Sequence, residues 1–445
     1  MQSNKNTELD LQQNILPMTK VKSIKQFCPI RRVGKDTYNH FFGYYNKNIW
    51  DKTGRYLLSQ RVPMPTGDLT GKEVAEVGFF DLECDDVYRV IGDTSTWNWQ
   101  MGCQLQWLGN NENWQIIYNT RKQSSTKVDA VYSDFCSTLY NIESNEKKEL
   151  PLPVYVVSPN SKYALSVDYS RFQVTHPTIG YHATKLQSNL ENAPKNDGIY
   201  RLEIDTGEVE LILSLCDLRE FQPVASMDRA IHWVTHLEIN PSSSRFLFIH
   251  RWTERVEDET CFLHRLFTVN PDGTGLKLLE CTDHPLPQLE EGFDQNKFGT
   301  FDYEKSEYQI SHPAWKDDGQ IIVWGPHLGS IHYHLYDSLS GEVEVIGENL
   351  LTENGHMTYS PNGKWILSDT YPEESTNERL LILYDVKNDN RYDIGSFYTD
   401  PKLGKQNRCD LHPRWNQDGQ QVCIDSVHEL TRQIYIIDVS AITCD

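Results

Sequence analysis

Four histidines, His236, His312, His356 and His412, stand at a similar offset before turns built on Pro, Asp, Asn or Gly. The segments are HLEINPSSSRFLFIH from His236, HPAWKDDGQIIVW from His312, HMTYSPNGKWILSD from His356 and HPRWNQDGQQVCID from His412. If these segments are copies of one unit set around an axis, four imidazoles share a small volume. Such a set suits a metal or a proton-transfer centre, because neutral imidazole is both a good ligand and a base near neutral pH. The competing reading is that each ring packs on the next unit and bonds a loop carbonyl. Taken singly each histidine favours packing; taken as a set they favour chemistry.

Other polar residues share this edge. His232 lies four residues before His236, on the same strand face if the strand extends that far. Asp410 and His412 alternate onto one face, with Asn407 just before them. Tyr169 and Arg171 (SVDYSR), His250 and Arg251 (FIHRW), and Asn119 to Arg121 (YNTR) close inner hairpins, where an Arg serves as a strut or as an anion clamp. Cys409 has the opposite parity to Asp410 and is expected inside, while His176, His284 and His428 fall in loops with no assigned role. Trp107, Trp315 and Trp415 recur at one position and read as packing residues. Trp97 and Trp99 leave open a platform on which a sugar stacks.

The elements that must hold these residues are short strands. Besides the four histidine segments, VYVVSPNSKYALSV from Val154 repeats the strand–turn–strand theme, and copies from Tyr44 and Gln104 are more divergent. A second hairpin follows several of them, as in GIYRLEIDTGEVELILS, RLFTVNPDGTGLKLL and YHLYDSLSGEVEVI. Asp-Thr-Gly, Pro-Asp-Gly and Ser-Gly supply the positive φ that tight hairpins need. Two hairpins make a four-stranded antiparallel sheet that cannot bury both faces alone, so about seven units must pack around an axis. The expected fold is all-β, a seven-bladed β-propeller of four-stranded blades. It forms a single domain over residues 21–445 behind a polar Asn/Gln-rich lead-in, residues 1–20. Val21–Val33 is placed to supply the outermost strand of the last blade. Gln123–Ala130 and Thr282–Ser306 read as long insertions.

The chain carries 42 Lys and Arg against 63 Asp and Glu, a formal charge of −21. That field disfavours nucleic acid and anionic membranes as partners. It also opposes a polyanionic ligand unless Arg and His reverse it locally. Ten cysteines without a CxxC pair, no apolar stretch in Met1–Lys20 and no run of 18 apolar residues give a cytoplasmic expectation with reduced thiols.

HPAW at His312 and DLHPRW before Trp415 resemble the oligogalacturonate lyases, seven-bladed propellers with a metal in the channel mouth. The resemblance implies metal ligands at His312, Asn407, Asp410 and His412, and a proton-abstracting His near His236. Here Asn stands for the family's Gln and Asp for its middle His; such a set still suits Mn²⁺ or Zn²⁺. The front half, HFFGYYNK around His40 and WNWQMGCQLQW around Gln100, is similar to ulvan-type and rhamnose–glucuronate lyases. Those enzymes use Tyr or His as acid and base, with Arg and His neutralising the uronate. The matching region here offers Gln100, Arg121, Tyr169 and Arg171, with Gln and Arg where relatives carry His.

Together these imply β-elimination on an acidic oligo- or polysaccharide. His236 or Tyr169 would be the base, and Arg171, Arg251 or a metal would hold the carboxylate. His40, Gln100, Arg121, His232, His250 and His356 would line the substrate. The alternative is a non-catalytic propeller that binds glycan or protein. Glycoside hydrolysis would need a pair of carboxylates at suitable separation, and no such pair stands out.

Overall fold

A computed structural model describes residues 21–109, 114–122, 134–183, 190–254, 256, 262–282 and 309–444. The lead-in 1–20, Gln123–Ala130, His284 and all of the Thr282–Ser306 insertion beyond Thr282 lie outside them. The described strands form seven antiparallel sheets in chain order around one axis. Blade 1 runs from Asn39–Phe41 to Val87–Thr94 and blade 2 from Gln106–Trp107 to Lys147–Leu150. Blade 3 runs from Val156–Val157 to Val209–Ser214, and blade 4 from Ile231–Ile239 to Lys277–Cys281. Blade 5 runs from Ser311–Trp315 to Val343–Ile346, and blade 6 from Thr358–Tyr359 to Asn390–Tyr398. Blade 7 opens with Arg414–Trp415 and ends its own run with Gln433–Asp438.

The ring closes through the segment expected to do so. Ile30–Arg32 pairs antiparallel with Gln433–Asp438 as the fourth strand of blade 7. Ile24–Lys25 adds a fifth, parallel strand to blade 6. One short stretch of chain therefore covers the open edges of two neighbouring blades, edges that would otherwise present unpaired amides. On the other side of the seam, Asp425 of blade 7 accepts from the Phe42 and Gly43 amides of blade 1, and Arg414 grips the same carboxylate at 2.9 Å.

The repeated tryptophans do the same job three times. The indole N–H of Trp107 reaches the Ile49 carbonyl, that of Trp315 the Glu238 carbonyl and that of Trp415 the Thr358 carbonyl. Each bonds the inner hairpin of the preceding blade, as the packing reading required. Trp97 and Trp99 are not a sugar platform. They are 3% and 2% exposed, lie edge to face, and donate to the Glu73 and Gly67 carbonyls.

One device of the inner strands decides the site. The residue that closes each inner hairpin donates its N–H to the next strand, at Asp51, Leu108, Ser158, Asn240, Lys316, Ser360 and Asn416. Four positions before each lies an equivalent residue: Lys47, Gln104, Val154, His236, His312, His356 and His412. In four blades this residue has left-handed backbone: Gln104 (φ 53°), His236 (56°), His312 (49°) and His412 (43°). In blades 4 and 5 the strand register shifts at that point, between Thr235 and Glu238 and between Ser311 and Ala314. A bulge of this kind re-aims one side chain while the ladder continues on both sides. Non-glycine residues adopt such φ values rarely, and they persist only where surrounding structure enforces them. His356 reaches the equivalent place by other means: the Asp369 carboxylate accepts both its backbone N–H and its Nδ1.

Candidate functional site

The four histidines converge. Ring centroids of His312 and His356 are 4.1 Å apart, those of His356 and His412 4.4 Å, and those of His236 and His312 5.9 Å. All four are at most 6% exposed. They line blades 4 to 7, so the arc is confined to one side of the axis.

The other side of the channel is closed by blade 1. The segment Tyr44–Lys47 crosses the axis and is bonded to the far blades. The Tyr44 hydroxyl lies 2.7 Å from His236 Nε2, the Tyr45 hydroxyl donates to the Pro313 carbonyl, and Asn46 donates to Glu238. Lys47 Nζ sits over the Tyr155 ring. Tyr44 also packs edge-on against His412, and Tyr45 against His312. Gly43 opens this segment at φ 128°, and a Cβ there would strike the Met101 main chain at 2.8 Å, so the crossing needs glycine at this point. The channel is therefore floored by aromatic rings beneath the histidines.

Charges surround the arc. Asp410 is buried between Arg379 at 2.8 Å and Arg408 at 2.7 Å, with His412 Nε2 at 4.0 Å. Arg251 donates to His176 Nδ1 across 3.1 Å, at the end of the helix Tyr169–Thr175. Burial holds His236 and His412 neutral, well below the usual imidazole range; the neighbouring Arg251 adds to this at His236 and His356 at His412. Burial alone would raise Asp410, but Arg408 and Arg379, with His356 and His412, outweigh it and keep the carboxylate ionised. Lys47 and Glu238 form a buried pair in which burial pushes the amine down and the carboxyl up. Lys47 Nζ has no hydrogen-bond partner among the described residues.

The donor chemistry fits a divalent ion. His356, Asp410 and His412 offer ligand atoms within 4.8 Å of one another. His412 Nε2 is buried without a hydrogen-bond partner among the described residues. His356 gives its Nδ1 to Asp369, which orients the ring and leaves Nε2 for the channel; carboxylate-backed histidines of this kind are common metal ligands. Imidazoles beside an ionised carboxylate suit Mn²⁺ or Zn²⁺.

Of the residues singled out in the sequence, His236, His312, His356, His412, Asp410 and Arg251 gather at the axis or border it. The rest are placed elsewhere. The Asn407 side chain turns to blade 1, where it accepts from Thr66 and the Gly67 amide and donates to Asp68. Tyr169 is wholly buried, stacked on Tyr181 at 4.3 Å, and donates to the Val154 carbonyl. Arg171 spends its guanidinium on the His232, Glu191 and Asn192 carbonyls, which makes it a strut. His232 and His250 stack on each other at 5.0 Å inside blade 4. The bulge at His236 breaks the alternation that would have put His232 on its face. His40 is held between Asp36 and Ser59, and Arg121 donates to the His182 carbonyl. Gln100 touches the rim, donating to the Arg408 carbonyl. Cys409 is buried as its parity required.

Tyr44, Lys47, Arg379, Arg408, Asp369 and His176 were not singled out from sequence. Lys47 had a readable signal: it stands three residues before Trp50, the count that separates His312 from Trp315 and His412 from Trp415. Arg379 had none, since the fold brings Asp410 to it across 31 residues, whereas Arg408 stands two residues before Asp410 and its pairing was readable. His176, read as an idle loop residue, is half-buried against Arg251.

No family model matches this chain, and no curated protein matches its sequence. Solved structures do match. An oligogalacturonate lyase in complex with manganese aligns over 95% of this chain and 98% of its own, with a TM-score of 0.60 at 14% identity. An oligogalacturonate lyase from Vibrio parahaemolyticus aligns over 95% of both chains, with a TM-score of 0.58 at 13% identity. At this identity the likeness concerns the fold: the chain is a seven-bladed propeller with the architecture of those proteins.

Proposed function

We propose that this protein is a lyase that cleaves uronic-acid-containing oligo- or polysaccharides by β-elimination at the histidine-lined end of the channel. The observation that carries the reading is the convergence of four imidazoles, an ionised aspartate and two arginines at the floored end of the channel. In such a reaction the C5 proton must leave, the C4–O4 bond must break as the C4–C5 double bond forms, and O4 must gain a proton. His236, kept neutral by burial, is the base. The Tyr44 hydroxyl, 2.7 Å from His236 Nε2, is placed to protonate O4. The proton gained by His236 then returns across that contact and resets the pair. Arg251 and Arg408 attract the uronate carboxylate, whose neutralisation makes the C5 proton acidic. A divalent ion held by His356, Asp410 and His412 would add Lewis-acid neutralisation of the same carboxylate.

The test is incubation of the metal-supplemented protein with a panel of uronides, following the ultraviolet absorbance of the unsaturated product. Product formation that disappears in His236→Ala supports the proposal; no product from any uronide in the panel defeats it for those substrates. One observation favours a second reading, a binding propeller without chemistry. Both ring nitrogens of His236 already have neighbours, Tyr44 at 2.7 Å and Thr235 at 2.9 Å. Binding of a uronide with no turnover, unchanged by His236→Ala, would select it.

A further inference from the structure

Away from the axis, a second group of imidazoles lies between blades 4 and 5. Strand Ser330–Asp337 carries His332 and His334, strand Gln320–His327 ends on His327, and Glu280 comes from the outer strand of blade 4. The His334 ring is 5.5 Å from that of His327 and 6.1 Å from that of His332. Glu280 Oε2 lies 2.7 Å from His327 Nδ1 and accepts from the Tyr336 hydroxyl at 2.9 Å.

His334 is the telling member. It is 1% exposed, yet neither ring nitrogen makes a well-directed hydrogen bond, although the main chain of Gly325 and His332 lies close by. His332 Nδ1 is likewise buried without a partner among the described residues. Buried imidazole nitrogens are normally satisfied, and leaving several bare in one place asks for an explanation such as an ion. Two imidazoles bound to one ion through nitrogens about 2.1 Å away have ring centres roughly 5 to 6 Å apart, which is the spacing seen here. Burial holds His334 neutral, at about 4, so its lone pair is available at ordinary pH. Closing the four donors onto a common point takes side-chain rotation. His327 and His332 are half-exposed beside the open turn Leu328–Gly329, at the rim where such rotation would take place.

We propose that His327, His332, His334 and Glu280 form a second metal site, for a late first-row divalent ion such as Zn²⁺ or Ni²⁺, that ties blade 4 to blade 5. Three imidazoles with one carboxylate match those ions and not Mg²⁺ or Ca²⁺, which prefer all-oxygen sites. The site is independent of the axial cluster and of the proposed lyase reaction.

The experiment is a Ni²⁺ titration of the metal-stripped full-length chain by calorimetry, with elemental analysis and thermal unfolding alongside. The axial site is removed first by His412→Ala. That variant is expected to retain one equivalent of Ni²⁺ and to gain thermal stability on binding it, since an ion bound only by the folded state stabilises that state. Adding His334→Ala should abolish the retained equivalent. Should that change unfold the chain, His327→Gln and His332→Gln at the half-exposed rim test the same point, each weakening Ni²⁺ at least tenfold with the circular dichroism spectrum intact. The proposal is overturned if His412→Ala retains no equivalent, or if the retained one binds equally well in the His327, His332 and His334 variants.

Discussion

Blades 4 to 7 and blades 1 to 3 share one backbone plan and differ in what they put at one position. On one side the equivalent residues are His236, His312, His356 and His412; on the other they are Lys47, Gln104 and Val154. The left-handed backbone that presents this residue occurs on both sides, at Gln104 as at three of the histidines. Backbone geometry is thus a property of the repeat, whereas chemistry is a property of single residues. The histidine half supplies the cluster of imidazoles, and the other half supplies the floor, through Tyr44–Lys47.

Substitutions on the two sides should separate this division of labour. His236→Ala should lower any lyase turnover by about 10²- to 10⁴-fold, the usual worth of a positioned base. Gln104→Ala should change turnover less than tenfold; equal losses in a kinetic assay would erase the distinction between the halves. On elemental analysis, His412→Ala should hold one equivalent of Mn²⁺ or Zn²⁺ fewer than the wild type, and Gln104→Ala should hold as much as the wild type.

Next in size is the seam. Asp425→Ala strands the buried Arg414 and frees the Phe42 and Gly43 amides, a loss of about 3–5 kcal/mol on urea unfolding. A loss below about 1 kcal/mol would mean that the terminal strands alone close the ring.

The buried histidine pair of blade 4 gives a pH signature. Burial, partly offset by the Met227 carbonyl, lowers His232 to about 4. The unfolded chain takes up that proton near 6.5, so it binds more protons than the fold between those values. Stability is therefore full above about pH 6.5 and declines as the pH falls towards 4, by roughly 1.4 kcal/mol per unit for this one group. Denaturation curves from pH 7 to 4.5 should show the decline, and His232→Gln should make it shallower by roughly 1.4 kcal/mol per unit; an unchanged slope in that variant would assign the decline to the other buried histidines.

Lys47→Met should raise stability by about 1–3 kcal/mol, because it removes a buried amine that lacks a hydrogen-bond partner. A destabilised variant would instead make the Lys47–Glu238 pair a net support of the floor. The smallest effect is expected at Trp315→Phe, about 1 kcal/mol for the indole bond to Glu238, with similar values for Trp107→Phe and Trp415→Phe if the three tryptophans are equivalent.

The fold was legible in the residues because a propeller repeats. Turn residues at a steady interval, each between apolar strands, leave few other ways to bury seven small sheets, and even the closing strand near Val21–Val33 could be anticipated, because ring propellers often close with a strand from the other terminus. The convergence of the four histidines followed from the same repeat. What the linear pattern could not carry was anything that depended on a break in it. His232 and His236 share strand parity in the sequence, but the bulge separates them. Tyr169 and Arg171 look like mouth residues, but a helix begins at Tyr169 and turns them into the interior.

By itself, then, the sequence determined the number of blades, the way they close and the positions that face the axis, since those follow from local periodicity and turn chemistry. Only the tertiary structure decided which polar groups meet. Asp410 finds Arg379 across 31 residues, Tyr44 finds His236 across 192 residues, and Asn407 is drawn away to blade 1. Such pairings are set by the packing of distant blades, where a few ångströms and a buried charge outweigh any preference written along the strand.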